Sequence, residues 1–351
     1  MRYPLLTCGF LWLLSGSLQA QDTVRTRKVK VLPVPAFGYS PETRTYVGAV
    51  CLFSLDLYPD TTTRISNAKV EFNYTWNKQI ITEIGWNYFF KEEKWFTKGL
   101  IHFSKYPDLY YGIGTHTPDS NLLTYNTQRI AIDLQGLKKI GKQLFTGVNM
   151  KYIHFGNLTA DSSREQFPEL KDGQTFGLGY SFVKDARNNI LTPENGIYLY
   201  LNTTYNFSQK DYLEVTADAR YYKTWKKRIT LANRFINDFN FGNPNFFDQA
   251  FLGGDKFVRG YYYGRFRDNH LSSLQTEVRV ALVWRLGLSF FGGLSNLYAP
   301  QRPFHFADTK YNAGIGLRFL VDKKERTNLR FDYAIGQDGN SGFYVSFGES
   351  F

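Results

Sequence analysis

Long stretches of strict alternation between apolar and polar residues constrain this chain more than any other feature. In the segment 213–221 every odd position is apolar or aromatic and every even position is polar or charged, and the same period of two is seen in 274–285 and 328–336. Strands of soluble sandwiches also alternate, but they average about five or six residues, whereas strands that cross an outer membrane need about nine to eleven. The pattern therefore predicts an all-β fold, a transmembrane antiparallel β-barrel.

The composition agrees with a barrel that has lipid on its outside and water inside. The chain contains 25 Tyr, 31 Phe and 30 Gly, and aromatic residues make up 18% of it, yet its mean hydropathy is −0.37. A lipid-facing barrel needs this mixture because it has an apolar outer band, aromatic girdles at both interfaces and a polar interior.

Sixteen segments have the length and pattern of a strand, and fourteen or eighteen strands are the alternatives. An even number is expected of a bacterial barrel, and it places both termini on the periplasmic side. Connections from even to odd strands are then periplasmic and short, as at 285–287, and we read 77–79 in the same way. The long connection 241–270 is extracellular. The predicted strands are 31–39, 45–57, 66–76, 80–89, 96–104, 123–135, 142–155, 173–184, 196–206, 211–223, 228–240, 271–285, 287–298, 309–319, 327–335 and 342–351.

The N-terminus is that of an exported protein. Residues 1–20 combine Arg2, a short apolar stretch and small residues up to Ala20, which is the layout of a secretory signal peptide. Nothing later in the chain supplies the roughly twenty consecutive apolar residues of a membrane-spanning helix. We predict a signal peptide at 1–20, a short periplasmic leader at 21–30 and a barrel at 31–351, located in the outer membrane of a Gram-negative bacterium.

Residue types that carry chemistry are sparse and scattered. The five histidines show no metal-ligand spacing, and Cys51 is the only cysteine left after the signal peptide. His270 lies near Asp268 and Ser272, but these are only neighbours along a loop, and a catalytic assignment needs mutual reach. We therefore expect no catalytic residues, no metal, no cofactor and no enzyme activity.

The formal net charge is +11, so the excess basic side chains must either bind an anionic partner or be exposed to solvent. In an exported protein nucleic acid is not expected. Outer-membrane lipid head groups, the phosphates of surface glycolipid, or carboxylates within the lumen are the candidate partners. The alternative is that Lys and Arg only solvate loops and turns.

Three segments resemble the BamA/TamA superfamily of outer-membrane assembly and translocation barrels. The long loop contains Val258-Arg259-Gly260-Tyr261, in place of a Val-Arg-Gly-Phe/Tyr motif, and the end of the chain is similar to the last two strands of the family. A shorter echo is Tyr111-Gly112-Ile113-Gly114. The segment 185–196 looks like the hairpin motif of the family through Asp185, Arg187, Asn189, Pro193 and Gly196.

The resemblance implies that the long extracellular loop folds into the lumen. An unpaired guanidinium there would cost several kcal/mol, so Arg259 needs a carboxylate, and Glu277 on the inner face of the next strand is the expected partner. Gly260 would permit a backbone conformation closed to other residues, and Tyr261 would pack on the inner wall. Where the family usually offers a second acid, this chain has Gly292, so we expect a single-sided pair. Whether Arg259 gates the barrel or only holds a plug stays open.

The terminal segment predicts how the barrel closes and is assembled. Phe343, Val345, Phe347 and Phe351 are expected to share the lipid-facing side of the last strand. A terminal aromatic resembles the signal read by barrel-assembly machinery, so this chain is expected to be a client of that machinery, unless Phe351 is only one residue of an aromatic girdle. Pro33 and Pro35 cannot donate hydrogen bonds, which predicts a weak seam at the first strand.

The resemblance implies a role in outer-membrane protein assembly or translocation, with protein clients. Periplasmic polypeptide-binding repeats, which such proteins carry before the barrel, are not seen in this sequence. We therefore expect a periplasmic or surface protein partner to supply that function. The alternative is a passive or structural channel accessory to a larger complex.

Overall fold

A computed structural model describes residues 28–40, 44–58, 60, 62–76, 78–160, 166–255, 257–322 and 326–351. The predicted signal peptide and leader residues 21–27 lie outside these ranges. The first strand begins at Lys28, so residues 28–30 of the predicted leader belong to the barrel. The reason is that the outward alternation already starts at Val29, which is 60% exposed, and continues at Val31.

Eighteen β-strands are described, of which sixteen form one antiparallel sheet. The remaining two, β12 and β13, form a small hairpin inside a loop. The predicted all-β barrel with sixteen strands is confirmed. The strands are β1 Lys28–Ser40, β2 Arg44–Asp56, β3 Ser66–Thr75, β4 Ile80–Phe89, β5 Trp95–Tyr110, β6 Leu123–Gly141, β7 Leu144–Ala160, β8 Gly173–Asp185, β9 Gly196–Phe207, β10 Tyr212–Trp225, β11 Ile229–Gly242, β12 Ala250–Leu252, β13 Phe266–Asp268, β14 His270–Ala281, β15 Leu286–Tyr298, β16 Lys310–Asp322, β17 Thr327–Gly336 and β18 Ser341–Phe347.

Each sheet strand pairs with the next one along the chain, and β11 pairs directly with β14. The two edge strands, β1 and β18, lie side by side, so the sheet curls round on itself. No register of paired residues joins β1 to β18 in the described ranges. One hydrogen bond does reach across this seam: the Tyr46 hydroxyl on β2 donates to the carbonyl oxygen of Val345, at 3.3 Å.

The two faces of the sheet differ as the alternation predicts. Large apolar side chains such as Leu199, Leu201 and Phe235 are 44–48% exposed on the outer face, which is the surface that lipid covers. Polar and charged side chains point inward and are buried, among them Asp218 and Arg234, which are paired at 2.8 Å. The core of this protein is therefore its lumen.

We call the end of the barrel where β1 begins and β18 ends the terminal end, and the opposite end the loop end. The connection 285–287 lies at the terminal end and the connection 241–270 begins and ends at the loop end, so the two lie at opposite ends of the barrel as predicted. The connection at 77–79 was assigned wrongly, because it joins β3 to β4 and therefore lies at the loop end. The connections at the terminal end are 57–65, 90–94, 142–143, 186–195, 226–228, 282–285 and 323–326.

Helical structure is minor in the described ranges. It comprises 3₁₀ turns at Lys91–Glu93, Asp119–Asn121 and Phe306–Asp308. None of the described helical segments has the length and apolar character that would let it cross a membrane.

Candidate functional site

The connection 243–269, between β11 and β14, enters the barrel, and we call it the lumen loop. Val258 and Tyr261 at its tip are fully buried, and Arg259 is 2% exposed. The apolar residues of the loop pack on the inner wall at Leu271 and Leu297. Burial of these side chains against the wall holds the loop inside rather than in solvent.

Arg259 is bound by two carboxylates and one aromatic ring. One guanidinium nitrogen donates to Glu277 on β14 at 2.6 Å, and another donates to Asp332 on β17. The guanidinium carbon also lies 3.4 Å from the centroid of the Phe291 ring, a cation–π contact. The expectation of a single-sided pair is therefore wrong. The second acid comes from β17 rather than from β15, where Gly292 stands.

Two glycines on β16 make room for this arrangement. Gly316 lies between Asp332 and Ser289 in the register, and a methyl group there would overlap the Asp332 carboxylate. A methyl group at Gly314 would overlap the Phe291 ring. The absence of side chains on β16 thus lets groups from β15 and β17 reach Arg259.

The ion pairs extend from Arg259 into a buried network of four arginines and four acids. Glu277 also binds Arg279 at 3.0 Å and Arg318 at 2.8 Å. Because the charges balance, removing one member leaves an opposite charge buried without compensation, which costs more than the pair itself contributes. The members are Arg259, Arg279, Arg318, Arg330, Asp255, Glu277, Asp332 and Glu349.

The tip of the lumen loop is attached to the last three strands of the barrel. The Gly260 N–H donates to the Tyr344 hydroxyl on β18 at 3.0 Å. Gly260 has φ +103° and lies against the backbone of Ile335 on β17. Any other residue here would have a strained backbone, and its Cβ would clash with Ile335. The Tyr261 hydroxyl donates to the carbonyl oxygen of Tyr311 on β16 at 2.6 Å.

The ionisation state of Tyr261 follows from its position. Burial raises the pKa of Tyr261 to about 12. The hydroxyl therefore keeps its proton at neutral pH and remains a donor, while it accepts a hydrogen bond from the Gln337 N–H at 2.9 Å. This one side chain bridges the loop tip to β16 and to the turn before β18.

The hairpin motif lies at the terminal end of the lumen. Asp185 and Arg187 form a two-point ion pair, with both contacts at 2.9 Å, and Arg187 also stacks on Tyr198. The Asn189 side chain accepts from two backbone N–H groups at 2.8 Å, which fixes the turn. Gly196 has φ +115°, and a side chain there would overlap the backbone of residue 186.

The hairpin and the C-terminal segment meet. The carbonyl oxygen of Pro193 and the main-chain oxygen of Phe351 both accept from the Arg279 guanidinium, at 3.2 and 2.9 Å. The Glu349 N–H donates to Leu191 in the same hairpin. Arg279, on β14, therefore connects the network around Arg259 to both motifs.

The prediction that Phe351 shares the lipid-facing side of the last strand is wrong. Phe343 is 40% exposed on the outer face, and Val345 and Phe347 follow it there, but β18 ends at Phe347. Gly348 has φ +77°, and the chain then turns into the lumen. Phe351 is 4% exposed and packs on Tyr222 and Ala232 of the inner wall.

Aromatic residues and arginines close the lumen at the loop end. Phe246 of the lumen loop packs edge-on against Tyr110 and Phe155 of the wall. The segment 111–114, which resembles a family motif, contacts the same loop, because the Gly114 N–H donates to the Arg267 carbonyl at 2.7 Å. The lumen loop is therefore held at the loop end of the barrel as well as at its tip.

Asp268, His270 and Ser272, which are neighbours in the sequence, each bind a different partner rather than one another. Asp268 binds Arg302 at 2.6 Å, Ser272 donates to Asn237 at 2.7 Å, and the His270 Nδ1 accepts from the Asn240 N–H at 3.2 Å. In the described ranges no group of three or more His, Cys, Asp or Glu side chains is arranged to hold a metal ion.

Asp332 is the functional residue that sequence reasoning missed. Its position gave a signal, because alternation places Asp332 on the inward-facing side of β17 together with Arg330. That Asp332 binds Arg259 is nevertheless visible only in the structure, because it depends on how β17 lies relative to the lumen loop.

A sixteen-stranded antiparallel sheet with an apolar outer face and a loop folded into a polar lumen defines an outer-membrane β-barrel of Gram-negative bacteria. The chain belongs to the Omp85 superfamily, whose domain matches residues 60–351.

Solved structures give the same fold at low sequence identity. BamA from Haemophilus ducreyi, in a form lacking POTRA domains 1–3, is 11% identical with a TM-score of 0.59, over 92% of this chain and 70% of that one. CdiB from Acinetobacter baumannii is 13% identical with a TM-score of 0.55, over 91% and 65% of the two chains. CdiB from Escherichia coli is 11% identical with a TM-score of 0.56, over 92% and 68%. A search of the curated proteins finds no sequence match.

Proposed function

We propose that this Omp85-type barrel acts in outer-membrane protein assembly or polypeptide translocation. The observation that carries the proposal is the attachment of the lumen-loop tip to β16, β17 and β18 through Arg259, Gly260 and Tyr261. Those strands adjoin the seam, so a change at the loop tip is transmitted to the edge where the sheet ends. In this proposal Arg259 has two roles: it holds the loop in the lumen, and it connects the loop to the strands next to the seam.

The seam is the edge that a client strand would use. An unpaired strand edge presents free N–H and C=O groups and can accept another strand. Pro33 and Pro35 are two residues apart, so the donors they lack belong to the same side of β1. This lowers the number of hydrogen bonds that β1 can donate along one of its edges, and so weakens the strand at which the sheet ends.

Protein partners and clients are part of the proposal. A periplasmic or surface protein would deliver the client to the terminal end, where the hairpin motif and the C-terminal segment meet. The chain is also a client of barrel-assembly machinery, with Phe343, Val345, Phe347 and Phe351 as its signal. Because Phe351 is buried in the folded barrel, a factor must read it before folding is complete.

Deletion of the gene, followed by quantitative proteomics of the outer membrane, tests the function. We expect a selective loss of other outer-membrane or secreted proteins, and the same loss with an Arg259→Ala allele whose barrel is still folded and abundant. An Arg228→Ala allele is the matched control, because this arginine is exposed in the turn 226–228 and lies outside the lumen loop and the network around Arg259. Unchanged levels of every exported protein in the deletion strain would overturn the proposal.

Two further measurements distinguish assembly from a passive channel. Affinity purification from cross-linked outer membranes should recover a protein partner or a client. Planar-bilayer conductance should be low for the intact barrel and should rise when 243–269 is replaced by a short linker, because the loop fills the lumen. High conductance in the intact protein would favour the channel.

A further inference from the structure

A groove of about 360 Å³ runs along the outer face of the barrel between β7 and β11. Its floor is formed by Ala217 and Ala219 on β10, and its sides by larger residues of the neighbouring strands. The groove exists because two small residues stand in register opposite Leu201 and Leu199, whose side chains rise above them. Since this face is covered by bilayer, its apolar occupant is lipid.

A positive charge lies at one end of the groove. Lys184, near the end of β8, lines the groove together with Leu144. Its ammonium donates to the main-chain carbonyl of Lys142 at 2.6 Å, so the backbone of a second, exposed lysine lies next to it. Within the described part of the chain neither lysine has a carboxylate partner. An apolar groove that ends at the Lys184 ammonium, with the exposed Lys142 next to it in the chain's turn, matches an acyl chain with an anionic head group.

The charge distribution of the whole barrel supports an anionic ligand at this end. Described residues in the connections of the terminal end include ten basic and four acidic side chains, whereas those of the loop end include seven basic and nine acidic ones. The ten are Arg64, Lys91, Lys94, Lys142, Arg187, Lys226, Lys227, Arg228, Arg285 and Arg326, and the four are Asp60, Glu92, Glu93 and Glu194.

Aromatic residues place this rim at the depth of lipid head groups. Trp95 is 51% exposed on the outer face, and the Lys138 ammonium lies 6.0 Å from its ring. Trp225, 47% exposed, follows Lys223 on the same face. Trp side chains are enriched at the membrane–water interface, and lysines beside them reach the phosphate level. Lys184 and the turn at Lys142 lie at the same end of the barrel as these tryptophans, so we expect them at the level of lipid phosphates.

We propose that this groove binds an anionic glycerophospholipid of the leaflet at the terminal end, with an acyl chain over Ala217 and Ala219 and the phosphate at Lys184 and Lys142. The attraction is electrostatic at the head group and apolar along the chain, so both halves of the site are needed. This inference concerns the outer wall and is independent of the function proposed for the lumen.

Native mass spectrometry of the full chain in detergent, supplied with phosphatidylglycerol or phosphatidylcholine, tests the site. The wild type should retain phosphatidylglycerol preferentially. Reversing both charges, Lys142→Glu with Lys184→Glu, should weaken that retention about tenfold or more, because each basic group near the surface contributes to the attraction. Ala217→Leu, which fills the groove, should reduce retention of both lipids.

The controls are matched in chemistry and differ in place. Lys171→Glu with Lys210→Glu makes the same charge change at the loop end, and Ala313→Leu enlarges an outward-facing alanine on β16. Both should retain phosphatidylglycerol like the wild type, and all variants should show the heat-modifiable mobility of a folded barrel. Equal loss in the controls would overturn the site. So would charge reversal that leaves lipid retention unchanged and instead abolishes co-purification of an acidic protein.

Discussion

Arg259, at the tip of the lumen loop, and Asp332, on β17, form a buried ion pair although they lie 73 residues apart in the chain. Asp332 also binds Arg318 at 2.5 Å and Arg330 at 2.6 Å, so one carboxylate joins the loop to two further strand positions. The pair links the plug of the barrel to the strand that precedes its edge strand. The following predictions test how much of the structure depends on it.

Arg259→Ala should destabilise the barrel by about 3–5 kcal/mol, because Glu277 and Asp332 are left buried without their shared cation. Arg259→Lys should recover only part of the loss, since a single ammonium cannot bind both carboxylates with planar geometry. The urea midpoint of unfolding in lipid vesicles measures the effect. Arg326→Ala is the control and should cost under about 1 kcal/mol, because both partners of its ion pair with Glu194 are partly exposed.

Asp332→Asn should be strongly destabilising, and Gly292→Asp should not rescue it. Gly292 is in register with Thr276 and Ala313 on the outer face, so a carboxylate there points toward lipid rather than toward Arg259. The double variant should therefore be less stable than Asp332→Asn alone in the same urea titration. Recovery of stability in the double variant would show that the second acid belongs on β15 after all.

Gly316→Ala should displace the Asp332 carboxylate and lower the unfolding midpoint, because its methyl group would overlap that side chain. Gly136→Ala on β6 is the matched control, since no heavy atom lies within 4 Å of an added Cβ there. The control should be neutral or slightly stabilising, because alanine restricts the unfolded chain more than glycine does. Equal effects of the two substitutions would argue against steric clearance as the role of Gly316.

Tyr261→Phe should cost about 1–3 kcal/mol at pH 8, because the hydroxyl no longer bonds the carbonyl of Tyr311 or the N–H of Gln337. Its pH dependence follows from the raised pKa of about 12 in the folded barrel against about 10 in the unfolded chain. The contribution of the protonated hydroxyl is full below pH 10 and is lost as the pH rises through 12.

The wild type should therefore lose part of its advantage over Tyr261→Phe between pH 10 and pH 12. Unfolding midpoints of the two proteins, measured in parallel across that range, test this. A constant difference between them would mean that the Tyr261 hydroxyl does not ionise in a buried position. Tyr311→Phe offers a control, because the carbonyl of residue 311 is retained while its own hydroxyl is removed.

Local pattern was enough to predict the strands, and the resemblance to the BamA/TamA superfamily singled out Arg259 and Gly260 in the long loop. Alternation over nine or more residues specifies a strand with one apolar face, and the inward parity of Glu277 made it the expected partner of Arg259, which lies 2.6 Å away. The role that the resemblance implied for Gly260 agrees with the structure, because only glycine readily adopts the φ of +103° found there.

Contacts between residues on distant strands of the barrel could not be predicted from the sequence. The Asp332 carboxylate extends over Gly316 on β16 to reach Arg259, because glycine has no side chain in its way. The position of Gly316 beside Asp332 depends on the register of β16 and β17. Phe351 has the parity of an outward residue, but parity applies only while the strand continues, and β18 ends at Phe347. The sequence by itself thus determined which face each strand residue takes, because alternation is a local property of the backbone. The tertiary structure alone decided which buried charges meet and where the last strand turns inward, because both depend on packing between distant segments.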